Sequence, residues 1–219
     1  MLAAIETPDV QLFVVTASGA PFPLHGLDFL GFSERERKDP DVGYGYVPHS
    51  SHAQLSTDNR MIELSEVDAV VDFDPQDLFI VVGYPWKHTK ERQTVEHATG
   101  KKLFDHEAQM SVIQGHLASD DLYDALGRVR GLHILINFDQ QRSVTTNGVH
   151  AVVVPAGMSG GGVWRVPNGM AYEHAKLVGV LIAHHAEERV LVATRISTIV
   201  DAVAEDHLIS VTPPSHVEP

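Results

Sequence analysis

The chain has no cysteine in its 219 residues. That excludes disulfides, thiolate metal sites and cysteine nucleophiles together. It also removes the usual reason to place a small domain outside the cell. No apolar run is long enough to form a membrane-spanning helix. The first residues lack the basic stretch and long apolar run of a secretory signal. A cytoplasmic protein with no membrane partner is the expectation from these absences. Basic residues are few: Lys plus Arg is 16 against 29 for Asp plus Glu, a net charge of −13 with neutral histidine. A field of that sign repels a phosphate backbone, so no nucleic-acid partner is expected. Aromatic residues are sparse at 7%. No internal repeat and no low-complexity stretch is present. What remains, 43% hydrophobic and 21% charged residues, is ordinary for a globular chain that forms one domain or two small lobes.

Histidine is the abundant exception. The 14 imidazoles would, if all charged, offset the net charge of −13, so solubility and stability should change as pH falls through the histidine range. Their spacing does not suggest a metal. His184 and His185 are adjacent, so on a strand they point to opposite faces and cannot easily share an ion. His49 and His52 could chelate within a turn, but no His-Glu-X-X-His helix exists. No metal and no cofactor is therefore expected.

Strand signals dominate the chain. Short β-branched and aromatic runs at residues 10–16, 41–47, 78–84, 132–138, 149–154, 177–183 and 190–193 are separated by turn clusters such as Thr146-Asn147-Gly148 and Pro167-Asn168-Gly169. Residues 119–130 read either as a short helix with Ser119 as N-cap or as a surface loop with one helical turn, and helical spacing occurs at 196–206. Residues 87–102 are charged and polar and read as a long exposed connection. The pattern predicts an all-β barrel or sandwich with a terminal helix. Its expected divisions are 1–74, 75–206 and a loose proline-containing tail over 207–219.

Pro155-Ala156-Gly157-Met158-Ser159-Gly160-Gly161-Gly162-Val163-Trp164 is the sharpest motif. Glycines around a serine let the backbone turn tightly and bring amide N–H groups toward the hydroxyl. That suits an oxyanion hole, with Gly157 and Ser159 as its donors. A plain Gly-rich turn between strands is the bland alternative. Gly157-Met158-Ser159-Gly160-Gly161 also satisfies the Gly-X-Ser-X-Gly elbow of α/β-hydrolases, with Asp201 or Asp206 and His207 as downstream partners for an esterase. That elbow needs a helix directly after the serine, and the glycines that follow are poor helix formers.

Gly157-Met158-Ser159-Gly160-Gly161 followed by Leu177-Val178-Gly179-Val180 resembles the nucleophile loop and next strand of trypsin-like (chymotrypsin-fold) serine peptidases. Gly83-Tyr84-Pro85 after an apolar strand is similar to a turn of bacterial members. Arg37-Lys38-Asp39-Pro40-Asp41-Val42 resembles the stretch holding their triad aspartate, and the terminal helix also fits. The resemblance covers roughly residues 10–205. It implies a chymotrypsin-like double β-barrel and acyl transfer on a peptide or protein substrate. Carried over, Ser159 is the nucleophile, Asp41 the orienting carboxylate, and the Gly157 and Ser159 amides the oxyanion hole. Val153 would form the floor of the substrate pocket and Ile182, Ala183 and His184 its wall, favouring small or apolar side chains.

Two departures matter. Family order places the histidine ahead of the aspartate, and His25 is the one histidine before Asp41. The Thr-Ala-Ala-His-like turn that carries that histidine is missing, as are the strands before it. Met1-Leu2-Ala3-Ala4 reads like the turn that follows such a histidine, so the N-terminal barrel is expected to be truncated before or at the base. A pseudopeptidase or binding module is the matching non-enzyme reading. Either the protein is a natural or degenerate fragment, or the start is mis-assigned, in which case the in-frame sequence upstream of Met1 contains an Ala-Ala-His-like turn. Sequencing that region tests the point, and its absence removes the reading of a mis-assigned start.

Overall fold

A computed structural model describes residues 13–15, 21–23, 30–31, 43–44, 49–70, 72–86, 89–95, 102–138, 144–145 and 153–210. The chain divides into two units, Met1–Ser65 and Glu66–Pro219.

In the first unit, β1 (Phe13–Val15) pairs antiparallel with β2 (Pro21–Pro23), and β3 (Leu30–Gly31) with β4 (Gly43–Tyr44). Among the described residues these ladders remain separate and do not close into a barrel. The turn anticipated around His49 and His52 is instead a helix, α1 (His49–Asp58). Its polar residues bond back onto its own carbonyls: Ser56 Oγ donates to His52 O at 2.9 Å and Thr57 Oγ1 to Ala53 O at 2.8 Å. Leu55 is its buried anchor. A helix with so little apolar periodicity gives no signal that pattern reading can detect.

The second unit is mostly β. Its strands are β5 (Leu78–Gly83), β6 (Thr89–Val95), β7 (Lys102–Ala108), β8 (Ser111–Leu117), β9 (His133–Phe138), β10 (Val144–Thr145), β11 (Gly162–Val166), β12 (Lys176–His185) and β13 (Val190–Arg195). Two helices, α2 (Asp120–Ala125) and α3 (Ile196–Ser210), complete it. Six antiparallel strands close a barrel in the order β5-β11-β12-β13-β9-β8, with β8 returning to β5. Alternation along β5 sends Phe79 and Val81 inward. They meet Ile113, Ile134, Ile136, Val163, Val178 and Leu181 in the main core.

Strands β9 and β13 are apolar on both faces because both faces are covered. One face holds Ile134, Ile136, Leu191 and Ala193 in the barrel core. The other holds Leu135, Val190 and Val192 beneath Tyr123 of α2, whose hydroxyl accepts the Leu135 N–H at 3.1 Å. Ser119 stands at the N-cap of α2, yet its hydroxyl makes no capping bond to the backbone.

Closure depends on Gly115. It pairs with Phe79 of β5 and also with Phe138 of β9. A Cβ at this position would overlap Asn137 O, so β8 approaches β9 too closely for any side chain.

Residues 66–70 and 72–74 pack with the barrel. Val67 bridges Leu177, and Asp68 N–H donates to Leu177 O at 2.9 Å. Arg165 reaches Asp68 at 3.3 Å and Asp77 at 3.4 Å. The Phe73 ring lies 5.4 Å from the Arg165 guanidinium carbon and 4.6 Å from that of Arg195. It meets Phe79 edge-on at 5.4 Å. Each contact binds this segment to barrel strands.

The exposed connection expected over 87–102 is corrected in part. Strands β6 and β7 form a hairpin whose register sets Lys90 opposite Glu107 and Arg92 opposite Asp105. The stretch carries no apolar alternation, which is why the hydrophobic pattern missed it. Strand β8 was likewise not anticipated. Of the strand expected at 149–154, residues 149–152 lie outside the described residues, and 153–154 are not in a strand.

Asp77 is 2% exposed. Its carboxylate accepts the Asn168 N–H at 2.9 Å and the Asp74 N–H at 3.1 Å as well as facing Arg165. Removing it strands two amides and leaves a largely buried guanidinium with Asp68 as its one carboxylate among the described residues. Asp77→Ala is expected to destabilise the barrel by about 3–5 kcal/mol, measured as a lowered urea midpoint with unchanged m-value.

Candidate active site

Residues 155–161 form two successive tight turns. Met158 N–H donates to Pro155 O and Gly161 N–H to Met158 O, both at 2.9 Å. The third residue of each turn is a glycine with positive φ, 91° at Gly157 and 90° at Gly160. That is the type II requirement, met at little cost by glycine alone. Gly157 has a second constraint: a Cβ there would lie 2.8 Å from Trp86 N. Trp86 N–H in turn donates to Ala156 O at 2.9 Å, tying the loop to the chain leaving β5.

Met158 anchors the loop from below. Its side chain is buried in the main core and packs where a Cβ of Gly83 would be, at 3.1 Å. Reciprocal bonds of 2.8 Å, Gly160 N–H to Leu181 O and Leu181 N–H to Gly161 O, continue the β11–β12 ladder through the loop. A buried methionine followed by a paired glycine leaves Ser159 exposed between them. Its hydroxyl donates to Ile182 O at 3.2 Å. Among the described residues, the N–H groups of Gly157 and Ser159 donate to no backbone carbonyl. Two uncommitted amides therefore bracket Met158 beside the serine.

Among the described residues, the strand edge next to Ser159 is also open. β13 pairs with β12 through Ala183, His184 and His185. On the other edge β11 pairs no farther than Val180, the loop occupies Leu181 and Ile182, and among the described residues no strand continues beyond them.

The residues singled out by resemblance are distributed unevenly. Gly157, Ser159 and Ile182 are brought together by the loop and the Ser159 hydrogen bond. Val153, the expected pocket floor, is fully buried in the barrel core. Ile182 and Ala183 pack against the cluster beneath α2. His184 is half-buried and meets Phe138 edge-on at 5.3 Å. Asp41 and His25 lie outside the described residues. Among the described residues no three metal-binding side chains converge, and no helix is long and apolar enough to cross a membrane. The elbow alternative fails on local structure, because Ser159 leads into β11 rather than a helix.

Trp86 was not anticipated in this neighbourhood. It is 75% exposed and Tyr84 is 55% exposed, both beside the loop that holds Ser159. The signal was the Gly83-Tyr84-Pro85 turn, whose consequence depends on the contact between Trp86 and Gly157. No family model, curated protein or solved structure matches the chain.

His184 sits below the usual imidazole range, chiefly because burial disfavours its charged form and secondly because of His185 beside it. Between the folded and unfolded values the unfolded chain binds the extra proton. The stability His184 supplies is thus complete above about pH 6.5 and is lost as pH falls through the depressed folded value. His184→Asn is expected to flatten the fall in melting temperature between about pH 7 and 5, read from thermal melts of both proteins.

Proposed function

We propose that this chain has the chemistry of a trypsin-like serine endopeptidase, with Ser159 as nucleophile. The observation that carries the reading is an exposed serine, held by two type II turns beside two uncommitted amides and an open strand edge. An extended peptide would add to the free edge of β12 at Ala183–His185, as peptides add to unpaired sheet edges. Its scissile carbonyl would then lie at the Ser159 hydroxyl. Attack by Oγ forms a tetrahedral intermediate, and its oxyanion is received by the Gly157 and Ser159 amides. Collapse expels the amine, which takes a proton, and leaves an acyl-serine that water hydrolyses. Tyr84 and Trp86 give the loop an apolar flank suited to peptide side chains.

The step requires a base to take the Ser159 proton. The resemblance assigns that part to a histidine oriented by Asp41, with His25 as the histidine available ahead of it. A second reading, a peptide-binding module without catalysis, is favoured by one contact: the Ser159 hydroxyl donates to Ile182 O, an acceptor that cannot activate it.

A fluorophosphonate probe separates the two. The peptidase reading expects labelling of Ser159 that rises with pH and vanishes in Ser159→Ala. Absence of labelling from about pH 6 to 9, with retained binding of an extended peptide, leaves the binding module and overturns the enzyme.

A further inference from the structure

At the start of β5 lies a cavity of about 500 Å³, lined by Leu78, Gln114, Gly115, His116, Asn137, Phe138, Glu188 and Arg189. Small-ligand sites span roughly 300–1,000 Å³ and favour the mouths of barrels. This one forms where β8 exchanges β5 for β9 and where the turn from β12 to β13 comes across, held by Phe138 N–H donating to Arg189 O at 3.2 Å. It is separate from the serine loop. Leu78 begins β5 and Gly83, which touches Met158, ends it. Five residue steps separate the two ends of the strand by about 17 Å.

We propose that this cavity is a second binding site, for a small zwitterion of the apolar amino-acid or dipeptide class. Its lining supplies both charges and an apolar surface. Arg189 offers a guanidinium whose fork matches a carboxylate, and the Gln114 and Asn137 amides add neutral donors. Glu188 offers a carboxylate for an ammonium group. His116 supports the same end: its Nδ1 lies 3.0 Å from Asp77 O, which can only accept. Nδ1 therefore carries the proton, and Nε2 is the ring acceptor left for a ligand. Leu78 and Phe138 supply the surface for an apolar side chain. Among the described residues, the side chains of Gln114, Asn137, Glu188 and Arg189 have no hydrogen-bond or ion-pair partner.

Arg189 provides the independent sign. Its φ is 56°, the one left-handed non-glycine residue among those described. Glycine or asparagine would occupy this turn position with less strain. Keeping an arginine at a strained position beside a cavity fits a residue retained for binding rather than folding.

The test uses the full chain and L-phenylalanine as probe, followed by calorimetry and thermal unfolding. Saturable binding is expected. N-acetyl-L-phenylalanine, without the ammonium, and L-phenylalaninamide, without the carboxylate, should each bind at least about tenfold more weakly. Arg189→Gly relieves the backbone, so its melting temperature should equal or exceed that of the parent while binding is lost. Glu188→Gln should abolish the preference for phenylalanine over its N-acetyl form. Ser159→Ala should leave binding unchanged, which keeps this result apart from the fate of the peptidase reading. No binding of L-phenylalanine or Leu-Phe up to about 10 mM, or unchanged binding in Arg189→Gly, overturns the proposal. Equal binding of the N-acetyl form to the parent also overturns it, since the site would then read an anion.

Discussion

The barrel closes where β8 leaves β5 and takes up β9, and Gly115 stands at that crossing. Backbone approaches backbone there without room for a Cβ. Had the strands been held farther apart, β8 would cover one partner and leave the other with an unpaired edge. Closure removes that edge and places Phe79, Ile113, Ile136 and Phe138 in one core. The cavity at the start of β5 belongs to the same crossing, because the exchange of partners is what opens space between the strands and the β12–β13 turn.

At the far end of β5 the same core positions the serine. Met158 is drawn into the apolar interior, and the loop can follow it only by turning sharply on either side. Two glycines at positive φ make both turns possible. Ser159 is therefore exposed as a consequence of its neighbour being buried. The Leu181 bonds then fix the height of the loop on β12, and among the described residues no strand pairs with the next stretch of that edge. The exposed serine and the end of the β11–β12 ladder have one cause.

The segment before β5 shows how charge and apolar contact cooperate. Asp68 and Asp77 satisfy Arg165, while Phe73 fills the space beside Arg165 and Arg195. Buried cations of this kind are tolerated when each has an acceptor or an aromatic partner. The clasp joins residues 66–70 and 72–77 to β11, β12 and β13.

Much was legible from local pattern. Apolar runs marked β5, β9, β12 and β13, and helical spacing marked α3, because burial imposes a period on the chain. The paired glycines around Ser159 were legible for a related reason: positive φ restricts residue type. The β6–β7 pairing was not, since its sequence has no apolar alternation. Gly115 gave no signal, because the need for a bare Cα arises only when two partner strands stand beside it. The cavity had no sequence signal at all, as its lining comes from three strands and a turn. Composition and periodicity by themselves determined a β-rich chain with a serine in a turning loop. Only the tertiary structure decided that Val153 lies inside the core, that Trp86 sits beside the serine loop, and that Glu188 and Arg189 line one cavity with His116. Those outcomes depend on closing contacts between residues distant in sequence, and no local preference encodes them.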